Sequence, residues 1–343
     1  MNRTAVVTDP VFAMHDPGPY HPESPARARA IQCRLEADDL RTRLARLAPR
    51  AASQAEICRV HTPGYYRRVA ATAGHTASLD PDTQTSVDSF RAAELAAGGL
   101  LALTEAVVRG EVRNGFALVR PPGHHAERDR AMGFCLFNNV AVAAEHALAA
   151  LGLARVLILD WDLHHGNGSM HSFWERADVL YASTHQYPYY PGTGAVDEVG
   201  AGPGRGFSVN VPLPCGMGDA EYTAIFREIF APVVAAYRPE LILVSAGFDI
   251  FDGDPLGGMR VSPQGFAWLT SQVMEMAAVC QGRVVLTLEG GYHVEGQAES
   301  VAACLQALLG EPPGPPPPRA GVGQAGPILA AVKRVQGQFW KLG

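Results

Sequence analysis

Short apolar runs recur along the chain. The first lies in the opening stretch MNRTAVVTDP. Six more follow: FALVR (116–120), RVLILDWD (155–162), VLYAST (179–184), FSVNVPL (207–213), LILVSAGF (241–248) and VVLTL (284–288). VLIL and LILV are apolar without interruption, the pattern of central strands in a parallel sheet covered on both faces. Alanine-rich stretches lie between the runs at 91–108, 140–151, 222–237 and 265–279 and predict helices. Strand alternating with helix predicts one doubly wound α/β domain. Residues 40–55 read as helix and then linker, leading into ICRVHTPGYYRRV, a further turn and helix. Residues 311–319, EPPGPPPPR, read as a surface polyproline segment. A helical tail, 328–340, follows it. Its Phe339 and Trp340 are placed to dock on the main body or on a second subunit.

The polar residues are not scattered over this frame. FALVR runs into PPGHHA, VLILDWD into LHHGNG and VLYAST into HQYPYYPGTG. LILVSAGF runs into DIFDGDP and VVLTLEG into GYH. Each cluster falls at or just past the C-terminal end of a predicted strand, the edge where open α/β sheets bind ligands. One site accounts for all five.

Composition narrows the class. The 343 residues are 47% hydrophobic, ample for a large core, and the 36 glycines and 26 prolines suit many strand-to-helix loops. Net charge is -6 with no basic tail, which disfavours direct docking on nucleic acid. Cys33, Cys58, Cys135, Cys215, Cys280 and Cys304 form no close pair, so the expected setting is a reducing cytoplasm. Neither a secretory signal nor a membrane-length apolar run is expected.

In DWDLHHGNG, Asp162 and His164 are two apart, and on an extended backbone they point the same way. A carboxylate and an imidazole are ordinary zinc donors. The bland alternative is a helix cap and a packed histidine. Asp249, after LILVSAGF, is the best third ligand, leaving a position open for water. Asp252, in a turn, is expected to face solvent, and Asp254, before Pro255, to hold loop geometry. His124 and His125 are candidates for proton transfer, with metal ligation or a loop hydrogen bond as open alternatives. Tyr292, beside glycines, is placed to polarise a carbonyl becoming an oxyanion. Phe134, Tyr189 and Tyr190 are candidate walls of a slot for an aliphatic stem.

The chain resembles the histone deacetylase superfamily, specifically its class II and bacterial deacetylase-like amidohydrolase branches. The stretches that carry this are HPESPAR (21–27), RPPGHHA (120–126), GFCLFNN (133–139), DWDLHHGNG (160–168), STHQ (183–186) with YPGTG (190–194), SVNVPL (208–213), SAGFD (245–249) with GDPLGG (253–258), and EGGYH (289–293). They keep the family's order over roughly the first 300 residues.

The resemblance implies a single-domain arginase/deacetylase-like α/β fold, with a central, mainly parallel eight-stranded sheet covered by helices on both faces. The catalytic domain would be 1–310, followed by the proline-rich 311–319 and a helical tail, 320–343. Asp162, His164 and Asp249 match the zinc ligands. His125 matches the general base and acid, and His124 its electrostatic partner. Asp160 and Asn167 match the residues paired with His124 and His125. Asn at the latter position is the class II form, where other members carry Asp. Tyr292 matches the catalytic tyrosine. Gly133, Phe134, Tyr190, Leu256 and Gly290 match the substrate tunnel, and Arg27 an inner acetate cavity. Asp82 is a weaker match for a rim residue that anchors substrate backbone. A structural potassium ion is implied beside Asp160, Asp162, His164, Ser183 and Thr184.

The implied reaction hydrolyses an acetylated primary amine to acetate and free amine. Leu256 stands where the eukaryotic polyamine branch has Glu, and the loop 15–27 is short. Acetyl-lysine in a protein or peptide is therefore favoured over acetylpolyamine or another small acyl-amine. Two other classes compete: a non-catalytic acyl-lysine-binding module, and an arginase-like enzyme with two manganese ions. No membrane or nucleic-acid partner is expected, and an oligomer is compatible with the tail.

Overall fold

The computed structural model describes residues 3–37, 39–315 and 325–342. Its strands are β1 (Thr4–Val7), β2 (Ala45–Leu47), β3 (Ala77–Asp80), β4 (Thr83–Thr85), β5 (Asn114–Ala117), β6 (Val156–Asp160), β7 (Val179–Gln186), β8 (Ser208–Leu213), β9 (Leu241–Ala246) and β10 (Val284–Leu288). Eight of them form one sheet in the order β2-β1-β5-β10-β9-β6-β7-β8, and every pairing in it is parallel. β3 and β4 form a separate antiparallel hairpin with a bulge. The last two strands insert between β5 and β6. The chain's late segment is thereby brought between its early ones.

The uninterrupted apolar runs follow from burial on both faces. In β6, Leu157 and Leu159 join one core cluster, while Val156 and Ile158 join the other. In β9, Ile242 and Val244 separate from Leu241 and Leu243 in the same way. Successive side chains point to opposite faces, and here both faces are dry. The helices Ser89–Val108 and Asn139–Ala149 cover one face, with alanines that allow close approach. Pro263–Met276, Val294–Leu308 and the segment Asp219–Tyr237 cover the other.

Two sequence expectations change. Residues 40–55 are not helix then linker alone. A single turn, Leu40–Arg43, is followed by edge strand β2, which pairs with β1. β2 is three residues long and only partly buried, so it carries no apolar run to reveal it. The predicted strands also overrun at their C-terminal ends. β5 stops at Ala117, β6 at Asp160 and β9 at Ala246. Val119, Trp161 and Phe248 beyond them stay fully buried, and Trp161 N–H still donates to Ser245 O of β9 at 3.2 Å.

The tail helix, Ala325–Gln336, starts three residues earlier than the sequence suggests. Its Gln336 donates Nε2–H to Ser208 O at 2.8 Å, and Trp340 donates Nε1–H to Gly206 O at 2.9 Å. The Trp340 ring packs edge-on against Phe207 and Tyr237. The tail therefore docks on its own domain, beside β8. Of the proline-rich stretch, 311–315 are described, and Trp268 donates to Pro315 O at 3.0 Å. Residues 316–324 lie outside the described residues. Replacing Trp340 by Ala is expected to cost about 2 kcal/mol. Urea unfolding should show a lower midpoint with little change in the site.

Candidate metal centre and active site

The C-terminal ends of four neighbouring strands, β5, β10, β9 and β6, meet at one place. Asp162 and His164 follow β6, and Asp249 follows β9. One ligand atom from each lies within 4.8 Å of the others, and all three residues are buried. His164 Nδ1 is 3.0 Å from Asp249 Oδ2 and 3.3 Å from Asp162 Oδ1. The two residues after β6 converge for a reason other than the one inferred from spacing. They sit in a bend past the strand, where His164 N–H donates to Asp162 Oδ1 at 2.9 Å. Alternation along an extended backbone does not apply there.

This donor set fits a divalent cation. Burial first, and then the charge of Asp162, push the Asp249 carboxyl up to about 7. Burial opposes charge on His164, but Asp162 and Asp249 override it and lift the imidazole to about 9. Two carboxylates and one imidazole buried within reach of one another are a donor set that a divalent cation takes. The space around them is kept open by glycine. A Cβ on Gly247 would lie 2.1 Å from Asp162 Oδ2, and one on Gly290 2.4 Å from Asp249 Oδ2. Gly290 N–H also donates to Asp162 Oδ2 at 2.8 Å. Asp252 is exposed, as expected of a turn residue.

The tandem histidines follow β5. His124 Nδ1 lies 3.1 Å from Asp160 Oδ2, which Tyr181 also meets through its hydroxyl at 3.2 Å. Burial disfavours charge on His124, but Asp162 and Asp160 outweigh it and raise the group to about 10. His125 goes the other way. Burial, then the neighbouring imidazoles His124 and His164, hold it well below its ordinary value. Its Nδ1 is 2.7 Å from Asn167 Oδ1. The carboxylates around His124 thus favour a proton on it, while burial and the neighbouring imidazoles disfavour one on His125.

Tyr292 is held by its loop. Asp254 accepts Tyr292 N–H at 2.6 Å and His293 N–H at 2.9 Å, the loop-holding role expected of it. Burial and the nearby Asp249 charge raise the phenol well above its usual range, so it stays a donor. Arg27 is fully buried and stacks over the Tyr292 ring at 5.1 Å. Its guanidinium donates to Gly291 O at 2.7 Å, to Glu289 O and to Glu23 Oε1 at 2.7 Å. In this structure Arg27 therefore braces the tyrosine loop from behind.

Aromatic rings flank the centre. Tyr190 meets His125 at 5.1 Å and His164 at 6.0 Å, both edge-on, and Phe134 meets Tyr292 edge-on at 5.9 Å. Tyr189 stacks on His164 at 5.7 Å and donates its hydroxyl to Leu256 O at 3.0 Å. Phe134 adopts φ 69°, the left-handed region that a bulky residue avoids unless surroundings impose it. The β3–β4 hairpin imposes it here. Asp82 Oδ1 accepts Gly133 N–H and Thr83 Oγ1 accepts Phe134 N–H, each at 3.2 Å. Asp82 is thus tied to Gly133, next to the ring of Phe134. Ser183 and Thr184 on β7 are buried, Ser183 Oγ lying 2.9 Å from His185 Nδ1.

Glu289 escaped sequence reasoning. It is fully buried at the end of β10, and its Oε2 accepts Gly123 N–H at 2.6 Å and His124 N–H at 3.1 Å. A carboxylate closing an apolar run was the available signal.

The family model for the histone deacetylase domain matches residues 21–308, and the chain belongs to that family. It is 42% identical over 326 residues to histone deacetylase 5 of Arabidopsis thaliana, covering 90% of this chain and 49% of that protein. It is 43% identical over 338 residues to polyamine deacetylase HDAC10 of Homo sapiens, covering 93% and 49%. The crystal structure of the HDA15 HD domain superposes with a TM-score of 0.92 at 40% identity, covering 99% of this chain and 95% of that one. The chain spans about half the length of the first of these curated relatives. They are plant and animal proteins and give no support to the bacterial branch expected from the sequence.

A three-donor centre predicts about one tightly held zinc ion per chain. Metal analysis after zinc loading and dialysis should find it. Asp249→Ala should weaken retention by more than the ~10–100-fold typical of losing an outer partner. Two ions per chain would instead indicate the two-metal ureohydrolase arrangement.

Proposed function

We propose that the chain is a zinc-dependent deacetylase or amidohydrolase that cleaves acetylated primary amines, foremost N-epsilon-acetyl-lysine. The observation that carries this reading is the convergence of a three-donor group, His125 held by Asn167, and Tyr292 beside Phe134 at one strand edge, in a member of the histone deacetylase family. A zinc ion bound by Asp162, His164 and Asp249 would supply a Lewis acid and raise the acidity of water.

The chain's own residues supply the rest. His125 takes a proton from the attacking water, with Asn167 holding its far nitrogen. Tyr292 donates a hydrogen bond to the carbonyl oxygen as charge develops there. His124, kept charged by Asp160 and Asp162, steadies negative charge at the centre. His125 then returns the proton to the departing amine, leaving acetate and free amine. Phe134 and Tyr190 flank the acyl-lysine stem, with the Gly133 carbonyl as acceptor for its amide N–H and Asp82 near the rim. The inner end beside Arg27 receives acetate. A potassium ion near Asp160, Asp162, His164, Ser183 and Thr184 belongs to the same reading. So does a reducing cytoplasmic setting.

Acetylpolyamine is the second reading. A relative named polyamine deacetylase HDAC10 at 43% identity favours it. Leu256 argues against it, because an alkyl side chain does not pair with a distant ammonium group. A turnover screen of the zinc-loaded chain decides between them, comparing acetyl-lysine peptides, acetylputrescine, acetylspermidine and longer acyl-lysines. Acetyl-lysine peptides are expected to turn over fastest, and faster acetylpolyamine turnover would overturn the preference. Tyr292→Phe should lower kcat by ~10²–10³-fold. An unchanged kcat would remove Tyr292 from its role.

A further inference from the structure

Behind His125 lies a second carboxylate to which the proposed mechanism gives no part. Glu127 is nearly buried, 9% exposed, and its Oε1 accepts Asn167 Nδ2–H at 2.6 Å. Asn167 Nδ2–H also reaches His125 O at 3.2 Å. The other end of the same amide, Oδ1, faces His125 Nδ1 at 2.7 Å. Beyond Glu127, His171 Nδ1 lies 2.8 Å from the same Oε1, at the protein surface.

An amide has unlike ends, and only the nitrogen end donates. The end of Asn167 that faces a carboxylate and a carbonyl must be the NH2 group, since an oxygen there would meet only acceptors. Oδ1 is then fixed on His125, where it accepts. An acceptor at that position requires the proton on Nδ1 and leaves Nε2 as the basic nitrogen of a neutral ring. The backbone keeps the three residues in register. A Cβ on Gly168 would lie 2.2 Å from Ala126 O, so the helix that Asn167 begins packs directly against the 125–127 segment.

We propose that Glu127 is a positioning residue for the general base: it fixes the Asn167 amide, and through it the Nδ1–H tautomer of His125. Position 167 is an amide because Glu127 faces it. A carboxylate at 167 would put two acceptor-only groups 2.6 Å apart and leave the His125 carbonyl without its donor. Residues 127 and 167 thus form a matched pair, and a change at one is tolerated only with a change at the other.

The kinetic part of this inference rests on the deacetylase reading, so the test has two arms. The first is a double-mutant cycle in the zinc-loaded full chain, with kcat and KM measured separately. Glu127→Ala is expected to lower kcat by ~10-fold with KM nearly unchanged, a fraction of what a general base contributes, and the Glu127→Gln single variant that closes the cycle, whose carbonyl still accepts from Asn167, by less. Asn167→Asp should lose more, about 100-fold. Asn167→Asp with Glu127→Gln should recover at least ~10-fold over Asn167→Asp alone, the coupling expected of residues in contact. Costs that simply multiply, or a Glu127→Ala kcat equal to wild type, would overturn the proposal.

The second arm needs no turnover. Nitrogen-15 spectra of the His125 ring should show the Nδ1–H form in the wild type and a mixture of tautomers in Glu127→Ala. An unmixed Nδ1–H form in the variant sinks the proposal even if the kinetics change. A wild type without activity on any acyl-amine would sink the deacetylase reading, and the spectra would still decide the role of Glu127.

Discussion

Asp162 and Asp249 are both fully buried, and both lie within reach of His164 Nδ1. Charge of one sign packed this closely in a dry interior is costly, and it survives only where polar groups surround it. The sheet cannot provide them, because its N–H groups are engaged in the ladder. The loops beyond the C-terminal strand ends can. Leu163, His164 and Gly290 each turn a backbone N–H onto one of the two carboxylates. The early exit of β5, β6 and β9 from the ladder is what frees backbone for this purpose.

The same device then organises the rest of the site. Asp249 binds the loop after β6 to that after β9, and Asp162 binds the loop after β6 to that after β10. Glu289, at the end of β10, holds the loop after β5, and Asp254, after β9, holds the Tyr292 turn. Four carboxylates thereby cross-tie four loops through backbone N–H groups, in addition to contacts within a loop such as His164 N–H to Asp162. Each reactive side chain is placed by a neighbour from another strand. This explains why the last strands of the chain insert at the centre of the sheet. Only there can β9 and β10 each reach both flanking loops.

Much of this was legible in the sequence, and the limits have physical causes. The central strands announced themselves because burial on both faces demands continuous apolar runs. β2 did not, because a three-residue edge strand has no such demand. The candidate site residues stood out as rare polar clusters after those runs. Asp162 and His164 do come together, but the expectation rested on an extended spacing that the actual bend does not have. Their union depends on a hydrogen bond that spacing cannot express. Glu289 and Glu127 were invisible as partners because their work is done across the fold. Glu289 acts on a loop 165 residues earlier in the chain. The 2.6 Å contact of Glu127 with Asn167 joins segments 40 residues apart.

Interior and mouth are built by different means. Around the centre, buried carboxylates fix loops from several strands, and a change at any one is felt by the others. At the mouth the holding contacts are fewer and nearer the surface. The Tyr189 hydroxyl meets the Leu256 carbonyl, and the β3–β4 hairpin supports Gly133 and Phe134. Leu256 takes part in these contacts through its backbone, accepting from Tyr189 and donating N–H to Asp254 at 2.9 Å. Its side chain can therefore change without releasing the loop that carries it. A fold arranged this way can alter what enters the slot while leaving the reacting groups in place. Under the proposed function, substrate choice would rest on side chains around the slot, and the chemistry on groups held by the cross-tied carboxylates.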